Sequence, residues 1–260
     1  MNFPLLYFAS LLLEQYARAN EIGEIFFVSR DCLLWHKLYR QMFPGLRATY
    51  LYTSRKCLFQ PSASYLEYFR STWHPRGVIV DLTSTGISWS RFFAGLVPAH
   101  GGGEPRRSPG GTPRRSRRFF CIGRIDDYAY VRNPIAPDEW LDITAVFRTS
   151  ELKPPANKAV EMLNYAAHGC VEDVLLPGNA PLPVLADKLE YDPALPGAVD
   201  EAFTACMERI GRYPELAESS RDSLTELIKA IVGFICADPH ISAIYAGHQV
   251  LDEAYVRRLL

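Results

Sequence analysis

Apolar positions along the first 150 residues alternate between short continuous blocks and stripes at helical spacing. Residues 4–19 carry such a stripe and predict an amphipathic helix. Glu24-Ile25-Phe26-Phe27-Val28 is a compact apolar run of strand length. Leu33, Leu34, Leu38 and Met42 then recur at helical spacing until Pro44-Gly45, a terminator pair. Residues 47–53 predict a second strand and 62–72 a helix. Val78-Ile79-Val80 is a β-branched run of the kind buried on both faces of a parallel sheet. A helix over 87–96, a strand at Phe119-Phe120-Cys121-Ile122 and an alternating strand over 141–147 complete the series. Strands that alternate with helices need parallel crossovers. The expected fold is therefore α/β, a doubly wound and mainly parallel sheet.

After residue 150 the pattern loosens. Residues 156–167 predict a helix with Val160, Leu163 and Ala167 on one face, and the proline-rich stretch 177–196 is expected to wrap the surface. Helices over 200–210, 219–237 and 241–260 are expected to pack as a bundle. The chain thus divides into an α/β domain, 1–150, and a helical appendage, 151–260, on the acceptor side of any site. Residues 98–118 differ in kind, being rich in Gly and Pro with arginine pairs at 106–107, 114–115 and 117–118. Such a segment cannot bury enough surface to fold alone and predicts a flexible insertion; electrostatic capture of an anionic acceptor is its functional alternative.

With 260 residues, 48% of them hydrophobic, the chain can bury a large core. A formal net charge of −1 argues against a general nucleic-acid coat, which needs a strong positive field. The six cysteines show no Cys-x-x-Cys pair, so reduced thiols and a cytoplasmic location are expected, with neither a zinc site nor a disulfide framework. No apolar run approaches the roughly 20 residues that span a bilayer, so no transmembrane segment is expected. A peripheral position at the inner face of the membrane is compatible with this.

The chemistry gathers where strands end. In an open α/β sheet, ligands bind beyond the carboxyl ends of the strands, and three predicted exits are polar: Ser29-Arg30-Asp31, Ser54-Arg55-Lys56, and Asp81 followed by Thr83-Ser84-Thr85-Gly86-Ile87-Ser88. The last offers hydroxyls around a glycine that permits close backbone approach, and then the free amides of a helix start, which together suit a phosphate. Arginine forks and a lysine at the other two exits suit a second phosphate group.

An apolar strand, an acid and then a Thr-Gly-x-Ser turn resemble the phosphoribosyl-pyrophosphate loop of type I phosphoribosyltransferases. The resemblance implies that Thr83, Ser84, Thr85, Gly86, Ile87 and Ser88 hold the 5-phosphate and that Asp81 contacts the ribose hydroxyls. It also places Ser29, Arg30 and Asp31 in the family's pyrophosphate loop, with Ser54, Arg55 and Lys56 beside it. The family usually carries two adjacent acids; here the first is Val80, which points away from nucleobase salvage and toward a divergent branch.

A narrower resemblance runs through Phe27-Val28-Ser29-Arg30-Asp31, Tyr50-Leu51-Tyr52-Thr53-Ser54-Arg55, Val80-Asp81, Thr85-Gly86, Glu161 and His168-Gly169. These motifs are similar to a module of polysaccharide-synthesis proteins that is often joined to a haloacid dehalogenase-like phosphatase. Cys32 stands where that module usually has glycine. The resemblance implies transfer of 5-phosphoribosyl from phosphoribosyl pyrophosphate to a glycan acceptor, lipid-linked in one version, followed by 5-phosphate removal by the phosphatase. No Asp-x-Asp-x-Thr/Val motif occurs in this chain, so a phosphatase is expected as a separate partner. The implied cofactor is Mg2+, bound by Asp81 with help from Asp31. Asp81, Arg30, Asp31 and Arg55 are the expected catalytic residues. Glu161, Asn164 and His168, neighbours on one helical stripe, are the candidates for acceptor binding or for a general base. A nucleobase phosphoribosyltransferase and a non-catalytic sensor of a phosphorylated sugar or nucleotide are the rival expectations.

Overall fold

The structure is a computed structural model of the chain; it describes residues 2–96, 117–126, 140–152, 160–161, 164, 166–178, 180–187, 194–209 and 218–240. The arginine pairs at 106–107 and 114–115, most of the helix expected over 156–167, and the helix expected over 241–260 lie outside the described residues.

Five strands form one parallel sheet: β1 (Glu24–Val28), β2 (Arg47–Leu51), β3 (Gly77–Ser84), β4 (Arg117–Arg124) and β5 (Leu141–Arg148), in the order β2-β1-β3-β4-β5. The expected doubly wound α/β sheet is what the chain forms. All five residues of β1 are buried, because successive side chains enter opposite layers. Ile25 and Phe27 join the core beneath α1 (Phe3–Ala19) and α2 (Leu33–Met42). Phe26 and Val28 join the core beneath α4 (Ala63–Thr72) and α5 (Ile87–Leu96). In β3 the same alternation sends Val78, Val80 and Leu82 to the first core and Ile79 to the second.

This two-sided covering positions the site. From β1 the chain leaves through α2 on one face, and from β3 it leaves through α5 on the other. The carboxyl ends of these neighbouring strands therefore open a crevice at the point where the winding reverses.

Several elements differ from expectation. The Ser54-Arg55-Lys56 exit is the start of a short helix, α3 (Arg55–Phe59), whose N-cap is Ser54. β4 begins at Arg117, within the stretch expected as loop. Arg117 lies over the Phe93 ring with its guanidinium carbon 4.2 Å from the centroid, and Arg118 donates to the Asn20 carbonyl. Their long side chains pair and stack at the strand's start instead of joining a solvated charge cluster. The proline-rich region contributes β7 (Leu182–Leu185), which pairs antiparallel with β6 (Val171–Leu175).

The segment beyond residue 150 shares the cores of the sheet. Val199 and Phe203 of α6 (Ala194–Met207) and Leu224, Ile228 and Val232 of α7 (Arg221–Ala237) lie in the core under α1 and α2. Val171 and Val174 of β6 lie in the other. Asp173 secures that hairpin by accepting from Ser62 Oγ at 2.7 Å and Ser64 Oγ at 3.2 Å. Among the described residues, no helix is long and apolar enough to cross a membrane.

Candidate active site at the strand exits

The β3 exit holds the anion-suited turn. Gly86 sits at φ +78°, a conformation open to glycine and costly for other residues. Its N–H donates to Ser84 Oγ at 3.2 Å, and the Ile87 N–H donates to Thr85 Oγ1 at 3.2 Å. These amides at the start of α5 take nearby hydroxyls as partners, and amides at a helix start are the kind of donor that can also accept an anion's approach. Ser88 follows in the first turn of α5, partly exposed. Thr83 is buried and donates its hydroxyl to Glu161, so the turn that faces ligand space begins at Ser84.

Asp81, two residues earlier in β3, accepts from the Leu82 N–H at 2.9 Å. Burial and then the charge of Asp31 push its carboxyl up to about 7, while Leu82, Ser84 and the Arg55 guanidinium oppose that rise. Asp31 follows β1, Arg55 follows β2 and Ser84 ends β3, at the same edge of three neighbouring parallel strands. Cys32 is fully buried, and its thiol donates to the Val80 carbonyl at 3.6 Å. Burial, Asp81 and Asp31 raise its thiol well above the ordinary range.

The other two exits are built differently. Ser29 donates its N–H to the Leu51 carbonyl at 3.0 Å and its hydroxyl to the Thr53 carbonyl at 2.6 Å, and Ser29 Oγ accepts the Thr53 N–H at 2.8 Å. Ser54 Oγ accepts the Cys57 N–H at 3.2 Å as a helix cap. Both hydroxyls, expected as substrate contacts, serve the backbone. The Ser29–Arg30 peptide is cis. Arg30 Nε lies 3.5 Å from Asp31 Oδ1, and its Nη1 reaches Cys170 Sγ at 3.4 Å. Arg55 is exposed. Lys56 pairs with Glu172 of β6 at 3.5 Å, so its ammonium is directed to the hairpin and not to the turn.

The three acceptor-side residues do not share a helical stripe. Glu161 is at the β3 exit through Thr83. Asn164 lies in a turn and is fully buried, with its Nδ2 donating to the Val160 carbonyl at 2.6 Å, so it belongs to the interior. His168 lies over β2, its Nε2 2.8 Å from the Tyr50 hydroxyl. That places it on the side of Arg30, whose partner Cys170 is two residues further along. The separation in sequence, 118 residues between Tyr50 and His168, hides this pair from any local pattern.

Among the described residues, no three His, Cys, Asp or Glu side chains gather as a metal cage. Asp81 and Asp31, two mutually repelling carboxylates, are a donor set suited to a magnesium ion that keeps waters and shares substrate phosphates. A separate cleft of about 410 Å³, between α1, α7 and strands β4 and β5, is lined by none of the residues the sequence singles out.

No protein-family model matches the chain, and no curated protein matches it. The architecture defines a doubly wound α/β protein with its polar residues at the switch point; what it does rests on the chemistry of those residues.

Proposed function

We propose that this protein is a magnesium-dependent transferase that moves 5-phosphoribosyl from phosphoribosyl pyrophosphate to a hydroxyl of a glycan in cell-surface polysaccharide synthesis. The observation that supports this reading is that β2, β1 and β3 are neighbouring parallel strands, so their polar exits, Ser54-Arg55, Ser29-Arg30-Asp31 and Asp81 with Ser84, share one edge of the sheet. A substrate with phosphates at two ends of a pentose matches an anion turn on one side and two guanidinium groups on the other.

In this mechanism the turn over 84–88 and the start of α5 hold the 5-phosphate. Asp81 orients the ribose hydroxyls. Arg30 and Arg55 balance the charge that builds on the departing pyrophosphate as the C1–oxygen bond loosens. Asp81 and Asp31 would hold the magnesium, which when bound neutralises diphosphate charge. The acceptor oxygen closes on C1 from the face opposite the pyrophosphate, and its proton passes to Glu161, the carboxylate tied to the β3 exit. Positioning supplies most of the remaining rate. A separate haloacid dehalogenase-like phosphatase would then remove the 5-phosphate.

Titration calorimetry tests the reading. Phosphoribosyl pyrophosphate with magnesium binds the wild type, and Arg55→Ala weakens that binding about 10–100-fold, the loss expected for one charge-assisted contact. No binding by wild type would remove the proposal. Mass spectrometry then separates acceptors: a phosphopentose added to a glycan supports glycan transfer, and addition to free nucleobases alone supports salvage. Binding without turnover on either supports a sensor.

A further inference from the structure

One exposed surface takes no part in the proposed transfer. Residues 174–186 carry no charge, in a chain of which 22% is charged, and they make up most of the β6–β7 hairpin and its turn. Of the six large apolar side chains exposed among the described residues, four lie there: Leu175, Leu182, Val184 and Leu185, with Leu182 54% exposed. The hairpin is held from below. Val171 and Val174 are buried in the core under α4 and α5, and Asp173 accepts from Ser62 and Ser64 at the start of α4. The Ala186 N–H donates to the Cys170 carbonyl at 2.9 Å.

A strand edge invites another strand, and this one is blunted. Among the described residues β7 pairs with β6 alone. The Ala186 N–H turns inward to β6, so by the alternation of an antiparallel pair residue 184 also turns its N–H inward and residues 183 and 185 turn outward. The outward position 183 is proline, and Pro181 before the strand and Pro177 in the turn lack the donor as well. The hairpin thus exposes apolar side chains with neither charge nor a full row of spare donors, and its complement is a phase that offers neither. Lipid at the boundary of headgroups and acyl chains is such a phase. A partner strand would need the missing donors, and a polar partner surface would lose its water here without replacement.

We propose that the β6–β7 hairpin is a membrane-docking element whose Leu175, Leu182, Val184 and Leu185 side chains enter the headgroup boundary of a lipid bilayer. The insertion is shallow. The hairpin's own ladder satisfies the backbone between its strands, and the exposed Glu172 and Asp187 flank the uncharged stretch and mark where water resumes. Glu172 pairs with Lys56 after β2, and Cys170 accepts from Arg30 after β1, so the hairpin is joined to the carboxyl edge of the sheet. Docking holds that edge and its polar exits at the bilayer surface. It needs no substrate and stands apart from the transfer reading.

Co-sedimentation with phosphatidylcholine vesicles, without substrate, tests it. Wild type is expected to partition reversibly onto these neutral vesicles, equally at low and high salt, because no charge contributes. Leu182→Glu is expected to lower that partitioning about tenfold, since it removes an inserted side chain and adds a charge. Phe234→Glu, at the 77% exposed ring on α7, is expected to leave it unchanged, which separates the hairpin from exposed apolar surface in general. Urea midpoints report whether each variant is folded. Leu182→Trp gives a second reading: lipids brominated on their acyl chains should quench its emission beyond that of wild type. Absence of wild-type binding overturns the proposal, as does equal binding by Leu182→Glu. Binding confined to vesicles that contain phosphatidylglycerol, and lost in salt, overturns it by marking an electrostatic contact elsewhere. So does a wild-type dimer that Leu182→Glu turns into a monomer while neither binds vesicles, which assigns the hairpin to a second copy. None of these outcomes bears on phosphoribosyl pyrophosphate binding, so the two readings fail separately.

Discussion

The exit of β3 and the exits of β1 and β2 use the same residue types for different work. At β3 the hydroxyls of Ser84 and Thr85 bond to amides two residues away, contacts that an arriving anion can replace without disturbing the sheet. At β1 and β2 the Ser29 hydroxyl is clasped to Thr53, 24 residues away and buried, and the Ser54 hydroxyl caps a helix. One exit is a locally bonded turn; the other two are tied into the scaffold by longer-range hydrogen bonds and a helix cap. The reach of a serine's hydrogen bond along the chain, and not its place at a strand end, tells a local turn from scaffold.

The comparison is broken most directly by Ser29→Ala. It removes both a donor and an acceptor for Thr53, so we expect a loss of about 2–3 kcal/mol, read as a shift in the urea midpoint. A loss no larger than that of an exposed serine would mean the scaffold is not clasped there.

Asp81→Asn is next. The Asp81 carboxyl titrates near 7 in the folded protein against 3.8 ordinarily. Between those values the folded chain keeps a proton that the unfolded chain has lost, so stability falls as pH rises through about 4 to 7 and stays reduced above. In ligand-free buffer Asp81→Asn should therefore stabilise the protein by about 1–3 kcal/mol above pH 7 and by little near pH 4. Thermal unfolding of both proteins across that range checks the sign. A variant less stable than wild type at pH 8 contradicts it.

The smallest effect sharpens the contrast. Ser84→Ala should change stability by under about 1 kcal/mol yet weaken phosphoribosyl pyrophosphate about fivefold. The same calorimetry and urea series measure both. If it unfolds as readily as Ser29→Ala, the β3 turn is scaffold too.

These differences also explain what the sequence disclosed. The sheet was legible because strands covered on both faces appear as unbroken apolar runs, as at 24–28 and 78–80. The positions of Arg55 and Asp81, at the start of α3 after β2 and near the end of β3, were legible from the apolar runs that precede them. The β6–β7 hairpin was not, since Pro181 and Pro183 read as strand breakers and mask a pairing that docking on α4 stabilises. Arg117 and Arg118 resembled a loop because charge was counted without the Phe93 ring and Asn20 carbonyl that receive them. The roles of Ser29, Asn164 and His168 depend on partners set by tertiary folding, which no local spacing carries.

Cys32 gives the site an internal clock. Thiol reagents attack the thiolate, and burial first, then the charges of Asp81 and Asp31, keep this sulfur protonated. Its labelling is expected only when the core between β1 and α2 opens, so the rate of mass gain at this one cysteine, followed by peptide mass spectrometry, measures how often that part of the core opens. A ligand that bridges the two acids should slow it.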